Sequence, residues 1–69
     1  MSRQSVISRS VASVGYDRNT LTLEVEFTNG TVYQYFDVPE AVYHELIHAD
    51  SVGTYLNLSI KNSYRYAKI

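Results

Sequence analysis

The sequence predicts an α+β fold, in which a three-stranded antiparallel meander sheet carries two helices packed on one of its faces. Three observations support this prediction. Apolar and polar residues alternate along the first half of the chain, an Asn-Gly pair interrupts the alternation, and apolar residues recur at helical spacing after Pro39. Alternation is typical of half-buried strands and Asn-Gly of a hairpin turn, whereas spacings of three and four residues are typical of an amphipathic helix.

Length and composition limit the chain to one small domain. Its 69 residues are 45% hydrophobic and 19% charged, with no cysteine, which is typical of a globular domain without disulfides or thiolate metal sites. Residues 1–8 are predicted to form a flexible segment, and residues 9–69 a single domain. The N-terminus lacks the apolar stretch of a signal peptide, and no apolar run approaches the roughly 20 residues of a membrane span. We therefore expect a cytoplasmic protein with no membrane partner.

The first two strands are predicted from alternation at residues 11–16 and 21–27. A polar turn at 17–20 would pair Tyr16 with Leu21, so that the apolar residues of both strands share one face. The side chains predicted to face the core are Ala12, Val14, Tyr16, Leu21, Leu23, Val25 and Phe27. Those predicted to face solvent are Thr22, Glu24 and Glu26.

The orientation of the third strand depends on the length of the loop at Thr28-Asn29-Gly30. A two-residue loop would leave Tyr33 and Tyr35 on the solvent side of the sheet. A three-residue loop, with Gly30 in the left-handed conformation, would shift the register by one residue, pair Tyr33 with Val25 and bring both rings into the core. Two large rings cover an apolar strand face well, which favours the three-residue loop.

Two helices follow the predicted sheet. The first is predicted to begin at Pro39, because proline suits the first helical position, and to end at Ala49. The second is predicted to begin after Ser51, which is a good N-cap residue. Residues 64–69 alternate again, which predicts an extended tail that can form a short fourth strand at a sheet edge. The predicted inner face of the helices consists of Val42, Tyr43, Leu46, Ala49, Val52, Tyr55, Leu56 and Ile60.

Three sets of residues occur in a recognisable order along the chain. They are Val14-Gly15-Tyr16-Asp17; Gly30-Thr31-Val32-Tyr33-Gln34-Tyr35 with Val38-Pro39; and Ser51, Gly53, Tyr55, Asn57 and Ile60 with Tyr64-Arg65-Tyr66. Over residues 8–69, this order resembles the KTSC domain, a small module that occurs at the C-terminus of some lysyl-tRNA synthetases. For function, the resemblance implies only that the chain binds RNA.

Charge is distributed unevenly, although the formal net charge is only -1. Residues 17–50 contain all seven acidic residues against Arg18 alone. The two ends contain basic residues and no acidic ones, namely Arg3, Arg9, Lys61, Arg65 and Lys68. If the two ends converge on one face they form a basic patch, and if they diverge their charges are simply solvated.

The basic and aromatic C-terminal segment is the predicted binding site. Tyrosine rings stack on unpaired bases, and lysine and arginine neutralise phosphates. The candidate residues are Lys61, Tyr64, Arg65, Tyr66 and Lys68, together with Tyr33 and Tyr35. Our first hypothesis is therefore a non-enzymatic module that binds RNA such as tRNA, or single-stranded DNA, without a cofactor.

Two other functions compete with RNA binding. An edge strand of a small sheet can pair with a protein partner or with a second copy of the chain. In addition, His44-Glu45-Leu46-Ile47-His48 matches the His-Glu-x-x-His motif of zinc hydrolases. The motif lacks a third ligand at a familiar spacing, and its histidines lie with Glu40 on the predicted polar side of the helix. We therefore rank assembly second and zinc hydrolysis third, and predict no metal site.

Overall fold

The computed structural model describes residues 1–69 as an α+β fold with a five-stranded antiparallel sheet. The strands lie side by side in chain order: β1 (Arg3–Ser5), β2 (Val11–Asp17), β3 (Thr22–Phe27), β4 (Val32–Tyr35) and β5 (Tyr66–Lys68). Helices α1 (Glu40–Ile47) and α2 (Val52–Tyr55) connect β4 to β5, and α2 continues into a π-helical turn, Leu56–Ile60.

The prediction of three strands with a possible short C-terminal strand is wrong by one strand, because β1 adds a further edge strand next to β2 while β5 forms the other edge. β5 lies in the tail that was predicted to be extended. β1 lies within residues 1–8, where no alternation of apolar residues signals a strand. Contacts with residues distant in the sequence hold β1 in place. Arg3 lies opposite Gly15, and the Arg3 guanidinium is 2.9 Å from the Glu24 carboxylate. Local sequence patterns do not reveal such contacts.

Gly15 leaves the space in which β1 lies against β2. A Cβ atom at this position would lie 2.5 Å from the carbonyl oxygen of Ser2 and 2.9 Å from Cγ of Arg3. Both distances are shorter than van der Waals contact, so a larger side chain must push β1 away. We expect Gly15→Val to detach β1 and to lower the free energy of unfolding by about 1–3 kcal/mol.

Amide hydrogen exchange measures this effect strand by strand. In Gly15→Val, the amides of β1 lose protection while those of β3 and β4 keep it. Ala67→Val is a matched control, because Ala67 lies at the other end of the same cross-strand row, on the exposed strand β5. Unchanged protection of β1 in Gly15→Val would contradict the role assigned to Gly15.

The β3–β4 hairpin has the three-residue loop. Gly30 adopts φ 92°, in the left-handed region where glycine is preferred. Val25 lies opposite Tyr33 and Leu23 lies opposite Tyr35. This register confirms the three-residue loop, and the two-residue alternative is wrong. Both tyrosines of β4 therefore belong to the face of the sheet that the helices cover.

β2 and β3 pair two residues away from the predicted register. Tyr16 lies opposite Leu23, and Leu21 belongs to the turn with φ 55°. A shift of two residues preserves the face of every side chain, so the apolar sets still meet in the core. A β-bulge after Val11 turns both Val11 and Val14 inward, which strict alternation does not predict.

The opposite face of the sheet carries a hydrogen-bonded network. Glu24, which was predicted to face solvent, is only 8% exposed. Its two carboxylate oxygens accept hydrogen bonds from Arg3 and from the Gln34 amide, each at 2.9 Å. The Ser13 hydroxyl donates to Glu26 at 2.9 Å. The network links strands β1 to β4 and neutralises the charge of Arg3.

The helices cover the other face and complete the core. α1 was predicted to span Pro39 to Ala49, but Pro39 is the extended N-cap residue, so the helix begins one residue later and ends two residues earlier, at Ile47. The Ser51 hydroxyl accepts a hydrogen bond from the Thr54 N–H at 3.3 Å, which confirms the predicted N-cap. No helix has the length and apolar character needed to cross a membrane. The buried core consists of Val11, Val14, Leu23, Val25, Tyr35, Val38, Leu46, Val52, Leu56 and Ile60.

Candidate nucleic-acid interface

A pocket of about 320 Å³ lies at the end of the sheet beside the β3–β4 hairpin. The hairpin forms one side of the pocket, and the residues that follow the π-helical turn form the other. Four of the seven predicted binding residues line it, namely Tyr33, Tyr35, Lys61 and Tyr66. The remaining lining residues are Phe27, Asn29, Thr31 and Asn62.

Three tyrosine rings form one cluster in this pocket. The ring centroid of Tyr66 lies 5.8 Å from that of Tyr33 and 5.9 Å from that of Tyr35. Phe27 contacts Tyr33 edge to face at 5.7 Å. Tyr35 is 1% exposed and anchors the cluster in the core, whereas Tyr66 is 59% exposed because it lies on the edge strand. The cluster therefore has a rigid buried part and an aromatic ring open to solvent.

The Tyr35 hydroxyl reaches the pocket although the Tyr35 ring is buried. The hydroxyl makes no hydrogen bond within the protein. Every fully buried polar side-chain atom has a hydrogen-bond partner, so this hydroxyl is not fully buried. The hydroxyl must therefore touch solvent, and Tyr35 lines the pocket. Burial raises the pKa of Tyr35, and the neighbouring Tyr33 and Tyr66 raise it further. The group stays protonated at neutral pH and can donate a hydrogen bond to a ligand.

Two lysines lie on the same side as the tyrosine cluster. Lys61 ends the π-helical turn, where its N–H donates to the Leu56 carbonyl at 2.9 Å, and its side chain lines the pocket. Lys68 lies directly opposite Tyr33 in the β4–β5 pair, and opposed residues share one face of a sheet. No acidic side chain lines the pocket. The pocket therefore combines aromatic rings with uncompensated positive charge.

The structure separates Arg65 and Tyr64 from this group. The Arg65 guanidinium lies 3.0 Å from the Asp37 carboxylate and 5.9 Å from the centroid of the Phe36 ring. Because successive side chains of a strand alternate, Arg65 points to the face opposite Tyr66. Tyr64 is half-buried and packs against the core. The predicted residues that share the pocket face are Tyr33, Tyr35, Lys61, Tyr66 and Lys68.

The hairpin loop contributes a residue to the pocket that was not among the predicted binding residues. Asn29 lines the pocket, and its Oδ1 accepts hydrogen bonds from the N–H and hydroxyl of Thr31 at 3.1 and 2.7 Å. Because the oxygen holds the loop together, the amide nitrogen remains available to a ligand. The three-residue loop was the signal that could have placed Asn29 beside the tyrosines, since it brings Tyr33 to the same face.

The side chains of the His-Glu-x-x-His motif make contacts within the protein. α1 ends one residue before His48, whose Nδ1 lies 2.8 Å from the His44 carbonyl oxygen. His44 Nε2 lies 3.5 Å from the Glu40 carboxylate, and Glu45 accepts a hydrogen bond from the Tyr55 hydroxyl at 2.7 Å. That hydrogen bond is the main reason why the pKa of Tyr55 is raised to about 12. No group of three or more histidine or acidic side chains is placed to hold a metal ion, so the geometry gives no support to zinc hydrolysis.

Comparison with known proteins identifies the family. Residues 7–64 match the KTSC domain. The chain belongs to the KTSC domain family. This domain is 43% identical over 70 residues to an uncharacterized protein from Stutzerimonas stutzeri, covering 100% of this chain and 99% of that protein. It also superposes on the crystal structure of a KTSC domain protein from Yersinia pestis with a TM-score of 0.93, at 36% identity, covering 99% of this chain and 96% of that chain.

Lysine–tRNA ligases contain a similar region. This KTSC domain is 36% identical over 59 residues to the ligase of Nostoc punctiforme, covering 86% of this chain and 10% of the ligase. It is 43% identical over 54 residues to the ligase of Trichormus variabilis, covering 78% of this chain and 10% of the ligase. The chain thus spans about a tenth of the length of these ligases.

Proposed function

We propose that this KTSC domain is a non-catalytic module that binds single-stranded RNA, with an unpaired base in the pocket between the hairpin and the π-helical turn. The observation that carries this proposal is the exposed ring of Tyr66, which lies against Tyr33 and Tyr35 beside lysines and without an acidic neighbour. A base can cover this ring, and a phosphate can meet the lysines.

Stacking and charge contribute separately to the affinity. A base stacked on an aromatic side chain such as Tyr66 is worth about 1–3 kcal/mol. Lys61 and Lys68 each neutralise one phosphate, which releases counterions and makes the affinity depend on salt. Tyr35 stays fixed in the core and keeps the stacking surface in place, so binding costs little conformational entropy of the protein. Two phosphate contacts support weak binding that other parts of a larger protein can strengthen.

The similarity to a region of lysine–tRNA ligases suggests tRNA as one RNA that such a module binds. Loops and ends of an RNA present unpaired bases, which proteins bind by stacking. A weak RNA-binding module linked to a second binding site raises the effective concentration of the RNA at that site. A cytoplasmic location, where tRNA is used, is part of this proposal.

Salt dependence tests the proposal. With two phosphate contacts, a plot of log affinity against log salt for a labelled RNA octamer should have a slope of about -1.4, at about -0.7 per contact. Lys61→Ala and Lys68→Ala should each reduce the slope to about -0.7 and weaken binding at low salt. Fluorescence anisotropy over a tenfold range of salt concentration measures both quantities.

Arg18→Ala is the matched control for these two variants. It removes one positive charge at the β2–β3 turn, at the end of the sheet opposite the pocket, where Arg18 pairs with Glu40 at 2.9 Å. Its slope should equal that of the wild type. No binding at low salt, or equal slopes for the wild type and both lysine variants, would contradict RNA binding at this pocket.

Assembly through the edge of β5 is a second candidate function. The Arg65 carbonyl and the Ile69 N–H bond to β4, so the backbone groups of Tyr66 and Lys68 point away from the sheet. A strand from a partner or a second copy could pair with them. Light scattering separates the two functions, since a stable dimer that shields Tyr66 favours assembly and a monomer favours RNA binding.

A further inference from the structure

Tyr66 and Asn62 line two neighbouring cavities. On one side of Tyr66 lies the pocket described above, and on the other lies a more open hollow of about 570 Å³. The remaining residues that line the hollow are Phe36, Ser63, Tyr64 and Arg65. The two cavities adjoin because Tyr66 and Asn62 line both. Tyr66 points to the pocket face and Arg65 to the opposite face, so a chain that follows the surface from one cavity to the other passes around the edge of β5.

We infer that the hollow is a second subsite for a nucleobase, so that the domain holds two consecutive unpaired nucleotides, one on each side of Tyr66. This inference rests on the proposed function, because it extends the strand that occupies the pocket. Successive bases of a single strand stack on successive aromatic side chains of a binding groove. Because Tyr66 and Asn62 line both cavities, the cavities are neighbouring positions for one strand.

The hollow offers the second base two flat surfaces. The Phe36 ring is half-buried, and the Arg65 guanidinium lies 5.9 Å from its centroid. Bases stack on phenyl rings and on the guanidinium plane of arginine. Asn62 lines both cavities, which places its amide beside the linkage between the two nucleotides.

The second subsite contributes stacking rather than charge. The Asp37 carboxylate lies 3.0 Å from the Arg65 guanidinium, so a phosphate that approaches Arg65 also meets a negative charge. The exposed face of the guanidinium remains available, and its planarity is the property that lysine lacks. Arg65→Lys therefore removes the stacking surface while it keeps the positive charge.

Two small ligands isolate the second base. Uridine 3′,5′-bisphosphate with a methyl ester on its 3′-phosphate and the dinucleotide pUpU each carry one phosphomonoester and one phosphodiester, so their charges match, but only pUpU carries a second base. By NMR titration, wild-type protein should bind pUpU at least about fivefold more tightly than the bisphosphate, the lower end of one stacking interaction. Arg65→Lys, which leaves the Phe36 ring in place, should lower this ratio without changing the affinity for the bisphosphate. Arg18→Lys, at the far end of the sheet, should keep the wild-type ratio.

The outcomes distinguish failure of the subsite from failure of the proposed function. Equal affinities of the wild type for the two ligands, or the same ratio in Arg65→Lys as in the wild type, would overturn the second subsite and leave the pocket intact. A smaller salt slope in Arg65→Ala that Arg65→Lys restores would also overturn it, because Arg65 would then contact phosphate. Absence of binding for both ligands and for the RNA octamer would overturn the subsite together with the proposed function.

Discussion

Tyr35→Ala should lower the free energy of unfolding by about 3–5 kcal/mol, the usual cost of removing a large buried ring. Tyr35 is 1% exposed and is the largest fully buried side chain of the protein. Domains are stable by only about 5–15 kcal/mol, and small domains lie near the lower limit. The variant should therefore be partly unfolded at room temperature, which urea titration followed by circular dichroism will show.

Tyr35→Phe is the control that separates the ring from its hydroxyl. Because the hydroxyl has no partner within the protein, its removal should change the free energy of unfolding by less than about 1 kcal/mol. A loss in Tyr35→Phe as large as that in Tyr35→Ala would show that the hydroxyl is satisfied inside the protein and does not open into the pocket.

Tyr66→Ala should weaken binding of the RNA octamer by about 5-fold to 150-fold, which corresponds to the loss of about 1–3 kcal/mol of stacking. The effect on folding should be small, because Tyr66 is 59% exposed on the edge strand β5. Fluorescence anisotropy gives the affinity, and the urea midpoint of the same sample gives the stability.

Tyr66→Phe completes this test because it keeps the ring and removes the hydroxyl. Binding should stay within about threefold of the wild type if stacking dominates. Unchanged affinity in Tyr66→Ala, at unchanged stability, would place the RNA elsewhere and contradict both the pocket and the second subsite. A large loss in Tyr66→Phe would assign the recognition to the hydroxyl.

The conformation of the β3–β4 hairpin loop was predictable from local sequence patterns. The Asn-Gly pair allowed two loop lengths, and the sizes of the Tyr33 and Tyr35 rings favoured the correct one. That choice placed both rings under the helices and, with them, one wall of the pocket. The N-cap at Ser51 was predictable for the same reason, since a helix start depends on residues only a few positions apart.

The binding residues were predicted as a segment, but their arrangement was not. Lys61, Arg65 and Lys68 look equivalent in the sequence, yet Lys61 and Lys68 lie on the pocket face and Arg65 pairs with Asp37 on the other side. Strand alternation and the end of the π-helical turn decide this division. The alternation of residues 64–69 was predicted, but only the register of β5 against β4 showed which side of the strand meets the pocket.

Local sequence patterns established the α+β class, the apolar faces of β2 to β4 apart from the bulge at Val11, the helix starts to within one residue and the basic aromatic tail, because each depends on neighbours within a few residues. Tertiary structure decided the addition of β1, the burial of Glu24 under Arg3 and Gln34, and the meeting of Tyr66 with Tyr33 and Tyr35. These features bring together residues 8 to 33 positions apart in the sequence. Their free energy comes from contacts that exist only once the sheet has closed around its core.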